Sequence, residues 1–266
     1  MSFGAIAVDA PPLGSAAILK QRWSDVAFLH WKVDPSVVEP YMPEGCSPDV
    51  IDGNTWVGLI AFQMSKSSFF GGPAIPWLGD FPEVNVRLYS IDSNGRRGVV
   101  FLSLEASHLV PVLVARAAFG LKYQWAKMKR THDDGELAYR TTRHGHPEAA
   151  AEITVRPSLD PEAEAALAKD PLAQFLTARW GFHERHLGHT IYCRNHHEPW
   201  PLQHAELVHL KDGLLAAAGF EGLADRAPDS VLYASEVTTV FAAPQRRNRV
   251  GQASPRTSLH LRSRRR

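Results

Sequence analysis

The sequence predicts a single α+β domain built mainly of antiparallel strands, and three observations predict it. About nine short β-branched or aromatic runs are separated by Gly, Pro, Asn and Asp. Helical segments are few and do not alternate with the strands, which argues against a parallel sheet made of β-α-β units. The 266 residues, 44% of them hydrophobic, allow one large core at about 100–200 residues per domain.

In chain order, Trp23–Trp31 is the first strand, ended by the turn-like Asp34-Pro35-Ser36. Thr55–Met64 follows the turn Asp52-Gly53-Asn54. Phe81–Ile91 and Gly98–Ala106 flank Asn94-Gly95, the strongest short hairpin signal in the chain. Pro111–Phe119 reads as a helix, with Pro in its first turn and Gly120 at its end. Leu137–Arg143 and Ala151–Pro157 are strands. Asp160-Pro161 and Asp170-Pro171 each open a helix, the Asp as N-cap and the Pro at the first helical position. Strands His189–Asn195 and Ala205–Lys211, a short helix over Asp212–Gly219 and strand Ser230–Ala242 complete the set.

Composition narrows the class further. Two cysteines, Cys46 and Cys193, leave no disulfide framework and no multi-cysteine zinc fold. No apolar run reaches the roughly 18 residues of a spanning helix, so no membrane insertion is expected. The first residues carry no basic segment before an apolar one, so no signal peptide is expected and a cytoplasmic setting is. Residues 1–20 read as a loosely ordered lead-in, 21–244 as the domain, and 245–266 as a basic disordered tail. That tail holds eight Arg and no acid; without it the formal charge falls from +1 to −7. Like charges and few apolar residues favour a solvated extension. A tether to nucleic acid or anionic lipid is the alternative, although an acidic body argues against specific nucleic-acid binding.

The Asn94-Gly95 hairpin carries the functional signal. Side chains alternate faces along a strand, so Phe81, Glu83, Asn85, Arg87 and Tyr89 share one face, and Val84, Val86 and Leu88 the other. A two-residue loop sets Arg87 opposite Leu102, Asn85 opposite Leu104 and Glu83 opposite Ala106, while Val84 meets Glu105 and Val86 meets Ser103. Neither face is then a plain solvent face. A covered Glu and Arg must be partnered or line a wet cavity. Glu83 and Arg87 lie roughly 13 Å apart along the strand and can both address a small polar ligand. A bulge would reverse this register.

Trp23–Trp31, Asp52–Met64, Phe81–Tyr89, Gly98–Ala106, Ala115–Met128 and His197–Leu202 together resemble the YqjF-like family of unknown function, in the acetoacetate-decarboxylase-like superfamily. The resemblance runs over about residues 20–244. It implies a cone-shaped antiparallel β-barrel wrapped by a few helices, with a ligand cavity inside. Decarboxylases of that superfamily form a Schiff base on a lysine in a Gly-Phe/Tyr-Pro-Lys-Lys-x-Ala segment, a second lysine lowering the pKa of the first. The segment here is Gly120-Leu121-Lys122-Tyr123-Gln124-Trp125-Ala126. Tyr123 falls on the nucleophile, Gln124 on its neighbour and Lys122 on the proline, so neither catalytic lysine is in place. Phe81-x-Glu83 does match the superfamily's aromatic-x-Glu, which implies that Glu83 faces the cavity. Superfamily relatives often form homo-oligomers; the residues themselves do not reveal an oligomeric state.

The expected ligand is a small anionic or carbonyl-bearing molecule. Glu83 and Arg87 would orient it, with Asn85 on the same face and Arg116, Tyr123 and Gln124 close by. Tyr139 and Arg143 share a strand face and are further candidates for the wall, or else face water. Glu83 is the candidate for non-covalent acid/base work; a Schiff-base lyase recruiting Lys122 is the alternative. No cofactor is implied. His183-Glu184-Arg185-His186 is one residue short of the zinc-protease spacing, and no metal is expected there. His197-Glu-Pro-Trp200 reads as a fixed corner, and Cys193 as a small buried hydrophobe.

Overall fold

The computed structural model describes residues 6–74, 79–108 and 120–246. Among them, one sheet of thirteen strands dominates, with few and short helices. The strands are β1 (Ala17–Val33), β2 (Cys46–Pro48), β3 (Thr55–Phe69), β4 (Phe81–Asp92), β5 (Arg97–Ala106), β6 (Tyr123–Asp133) and β7 (Glu136–Arg143). They continue with β8 (His146–Pro157), β9 (Gly181–His186), β10 (His189–His196), β11 (Leu202–Asp212), β12 (Ser230–Ala242) and β13 (Gln245–Arg246). The helices are α1 (Pro35–Val38), α2 (Pro161–Leu167), α3 (Pro171–Thr177) and α4 (Leu214–Ala217). The capping chemistry is as read: Asp160 and Asp170 accept from the Glu162 and Ala173 amides, each with Pro in the first turn. The helix expected over Pro111–Phe119 lies outside the described residues. No helix among those described is long and apolar enough to cross a membrane.

The pairings return on themselves twice. One circuit runs β5-β6-β7-β8-β11-β12-β1-β3-β4 and closes on β5; a second runs β9-β5-β4-β3-β1-β12-β10 and closes on β9. Pairing is antiparallel except at β5, which pairs parallel with β6 and β9. The wholly antiparallel expectation is corrected there. A parallel neighbour requires a long return of the chain, and residues 107–122 supply it for β6.

Alternation along the shared strands sends opposite faces into the two circuits. The nine-strand circuit is filled by Leu29, Trp31, Leu59, Val86, Leu88, Tyr139, Ile153 and Val155. The seven-strand circuit is closed by short ladders, Val99 with Phe182 and two pairs between β10 and β12. Glycine makes that seam close. A Cβ on Gly98 would stand 2.9 Å from the Gly181 carbonyl oxygen, and one on Gly181 would stand 2.5 Å from the Tyr192 ring. The Tyr192 hydroxyl lies 3.1 and 3.2 Å from the carbonyls of Arg97 and Trp180, so it ties β10 to both strands of the seam.

Described residues on either side of the expected domain join the fold. Ala17–Lys20 belongs to β1, the Ala7 carbonyl accepts from the Trp180 indole, and the Pro12 carbonyl accepts from Arg194. Gln245 and Arg246 extend the sheet on β10; the remainder of the basic tail lies outside the described residues.

Candidate functional site

The seven-strand circuit contains a cavity of ≈ 290 Å³, near the lower end for small-molecule sites. β4 supplies its polar wall, Glu83, Asn85 and Arg87 in alternate positions. The hairpin reaches this arrangement by two compensating irregularities. The turn is one residue longer than a two-residue Asn-Gly loop: Ile91 pairs with Arg97, and Gly95 sits at φ 76°. The Asp92 carboxylate accepts from the Asn94 and Arg96 amides and fixes the loop. A bulge at Leu102 then shifts the register back by one. Arg87 therefore pairs with Phe101, not Leu102, while Asn85–Leu104, Glu83–Ala106, Val84–Glu105 and Val86–Ser103 fall as the sequence predicts.

Glu83 is 2% exposed. Its Oε2 accepts from the Tyr123 hydroxyl at 2.7 Å and its Oε1 from the Asn85 amide at 3.1 Å. Burial pushes its pKa up to about 7, against the two hydrogen bonds, which favour the carboxylate; the charge of Glu105 adds to the rise. Tyr123 is carried in by the parallel pairing of β6 on β5. Burial, and then the neighbouring carboxylate, hold its hydroxyl protonated well above the ordinary tyrosine range.

Arg87 has no carboxylate partner among the described residues. Its Nε donates to the Tyr89 hydroxyl at 3.2 Å and its Nη2 to the Leu176 carbonyl at 3.3 Å. The guanidinium lies over the rings of Phe28 and Tyr89. The Tyr89 oxygen receives this N–H, so its own proton goes to His30 Nε2, 2.6 Å away. His30 can accept because it is neutral: burial, then the charges of Arg87 and Arg179, hold its pKa well below the usual histidine value. Gly58 on β3 makes room for this group. A Cβ there would stand 3.2 Å from the His30 ring, 3.3 Å from the Arg87 stem and 3.3 Å from the Tyr89 hydroxyl. Gly58→Ala is expected to cost about 1 kcal/mol of stability and to displace Arg87. Denaturation and the Arg87 side-chain NMR resonance check this; an unmoved resonance would contradict it.

Other polar groups complete the wall. Buried Arg179 forms an ion pair with Asp49, which also holds Arg97, and its Nη2 has no hydrogen-bond partner among the described residues. His197 donates from Nδ1 to the Glu198 carbonyl at 2.6 Å, and burial lowers its pKa to about 4, so it is a neutral acceptor at Nε2. Asn85 and Asn195 each keep a buried side-chain oxygen without a partner among the described residues. Cys193 also lines the cavity; burial pushes its thiol up to about 12.

The remaining sequence candidates are distributed as follows. Tyr139 and Arg143 lie in the filled nine-strand circuit, away from the cavity: the Tyr139 hydroxyl donates to the Asp25 carbonyl, and Arg143 pairs with buried Glu105. Gln124 is half-buried on β6 and is not part of the cavity lining. Lys122 is exposed, and no lysine lines the cavity among the described residues. Arg116 lies outside the described residues. Arg179, Thr177 and Asn195 escaped the sequence reading; only His197 was in a segment already singled out.

Two look-alikes are structural. His183 and His186 lie on opposite faces of β9, and no metal-binding group of three His, Cys, Asp or Glu occurs among the described residues. Ser90 Oγ is 2.9 Å from His183 Nδ1, and His183 Nε2 is 3.8 Å from Asp92. This Ser-His-Asp set is fully buried, and the Ser90 hydroxyl donates to the Gly98 carbonyl. It braces the β4–β5–β9 seam and presents no nucleophile.

The architecture is similar to that of acetoacetate-decarboxylase-like proteins. Acetoacetate decarboxylase from Legionella pneumophila aligns with a TM-score of 0.60 at 15% identity, over 90% of this chain and 92% of that one. An acetoacetate decarboxylase-like enzyme from Sphingomonas wittichii RW1 aligns at 0.56 and 15%, over 89% and 94%. The enduracididine biosynthesis enzyme MppR, complexed with pyruvate, aligns at 0.53 and 14%, over 91% and 98%. Identities this low establish the fold alone. The chain belongs to the DUF2071 family of uncharacterised conserved proteins, whose model matches residues 20–238. The uncharacterised protein YqjF of Bacillus subtilis (strain 168) is 34% identical over 189 residues, 71% of this chain and 76% of that one.

Proposed function

We propose that the seven-strand circuit is the ligand-holding part of a cone-shaped barrel, and that it binds a small molecule carrying a carbonyl and an anionic group. Glu83 acts on that ligand as a proton donor, with no covalent intermediate. The observation that carries this reading is the pairing, on one buried wall, of a carboxyl that keeps its proton near neutrality with a guanidinium that has no counter-ion among the described residues. Arg87 holds the anion through charge-assisted hydrogen bonds. Glu83 hydrogen-bonds the carbonyl oxygen and gives it a proton while the neutral His197 imidazole of the same lining takes a proton from the adjacent carbon, forming the enol. When the ketone re-forms, a proton returns to the carbon and Glu83 regains its own. The pyruvate complex of MppR supports small oxo acids as the ligand class. Imine chemistry is not part of the proposal, because no amine lines the wall among the described residues and Lys122 is exposed.

Pyruvate, followed by saturation-transfer NMR, is expected to bind, and Arg87→Gln is expected to weaken it about tenfold or more. Catalysed deuterium uptake from D2O at the pyruvate methyl is expected with the wild type and not with Glu83→Gln. Binding indifferent to Arg87→Gln, or uptake that survives Glu83→Gln, would overturn the proposal.

A further inference from the structure

The polar row occupies only one wall. The ladder places Asn85 beside Ile60 and Glu83 beside Phe62 on β3, and Phe28 on β1 beside Ile60. Trp23 lies further along β1, stacked on Trp200 with ring centroids 6.1 Å apart and 5.3 Å from Phe62. Phe101 enters beside Arg87 from β5 and packs on Phe182 of β9 at 5.7 Å. The lining continues along β1 from Phe28 to Gln21, roughly 20 Å of wall at the strand rise. Arg87 stands at the Phe28 end of it. A cation at one end of a long aromatic chamber matches an amphiphile. A compact acid such as pyruvate would satisfy Arg87 and leave most of the apolar wall uncovered.

We infer that the ligand is an amphiphilic monocarboxylate, a carbonyl-bearing acid with an aromatic or branched hydrocarbon body. Its carboxylate lies at Arg87 and its carbonyl at Asn85 and Glu83. Its hydrocarbon lies against Phe28, Phe62 and Trp23. The inference rests on the carbonyl-anion reading of the same cavity and adds the part of the ligand that the apolar wall recognises. The side-chain oxygen of Asn85, which has no partner among the described residues, marks the polar wall as one that a ligand hydroxyl or enol completes.

Calorimetric titration of the full chain with pyruvate, 2-oxobutanoate, 2-oxopentanoate, 2-oxohexanoate and phenylpyruvate tests this. Affinity is expected to rise about fourfold for each added methylene. Phenylpyruvate is expected to exceed pyruvate by at least a hundredfold, and phenylacetone, which lacks the carboxylate, to bind about tenfold or more weakly than phenylpyruvate. Arg87→Gln is expected to erase the preference for phenylpyruvate over phenylacetone. The chain-length series needs no variant, so it stands even if Arg87→Gln does not fold. Affinity that is flat or falls with chain length, with pyruvate bound through Arg87, would overturn the amphiphile and leave the carbonyl-anion site intact. If none of the acids binds, both readings fall.

Discussion

Glu83→Gln is expected to remove a pH-dependent loss of stability worth roughly 3 kcal/mol. The carboxyl titrates near 4.5 when unfolded and at about 7 in the folded chain. Between those values the folded state binds more protons than the unfolded one, so stability falls as pH rises, and the loss is complete above about 7. Glutamine keeps its proton count at every pH. It can still accept from the Tyr123 hydroxyl, and Asn85 can turn its partnerless oxygen toward the new amide. Glu184 and Asp212, with burial-raised pKa values of about 7 and 6, slope the same way, so the wild-type curve alone does not isolate Glu83. The difference between wild type and variant does. In urea unfolding at pH 5 and pH 8, the wild type should lose about 2.5 kcal/mol more than the variant. Parallel behaviour of the two proteins would mean that Glu83 is not in a water-poor site.

Gly181→Ala is expected to be the most damaging one-carbon change near the cavity. The added Cβ would stand 2.5 Å from the Tyr192 ring carbon Cζ, 2.6 Å from its hydroxyl and 2.7 Å from the Cys193 carbonyl oxygen. The ring cannot retreat freely, because its hydroxyl is held between the carbonyls of Arg97 and Trp180. The main chain cannot move without parting β9 from β10. Overpacking of this kind costs about 2–3 kcal/mol, seen as a fall in Tm of roughly 5–10 °C in a chain this size. Since the seam closes the cavity circuit, ligand affinity should fall with stability. A Tm within 1 °C of wild type, about the measurement noise, would show that the seam is not closed as described.

The sequence is informative where packing imposes an alternating pattern. All nine runs read as strands are strands, because β-branched and aromatic residues fill faces that are buried on one or both sides. β6 and β9 were hidden by their charge. Lys127, Lys129 and Arg130 crowd β6, and His183, Glu184 and Arg185 crowd β9, so neither shows a clean apolar period. Their parallel partner, β5, is reached only through a long return or through β9's distant position in the chain. Glu83, Asn85 and Arg87 were legible as one polar face, and their predicted partners on β5 survived only because the longer turn and the Leu102 bulge cancel. Tyr139 and Arg143 show the limit of the method. Alternation puts them on one strand face but cannot tell whether that face meets water or which of two interiors it enters. Here it is the filled one, where Arg143 neutralises Glu105 and so explains why an acid sits opposite Val84. Arg179 and Asn195 had no local signal, since their place on the cavity wall depends on the β9–β10 hairpin folding across the sheet.

The most direct test is a carboxyl carbon-13 NMR titration of ligand-free protein, with the Glu83 resonance assigned by its absence in Glu83→Gln. A midpoint at about 7 is the predicted result, together with a change of midpoint when phenylpyruvate is added. A midpoint near 4.5, that of a carboxyl open to water, would contradict the buried, proton-holding acid on which the proposed chemistry depends.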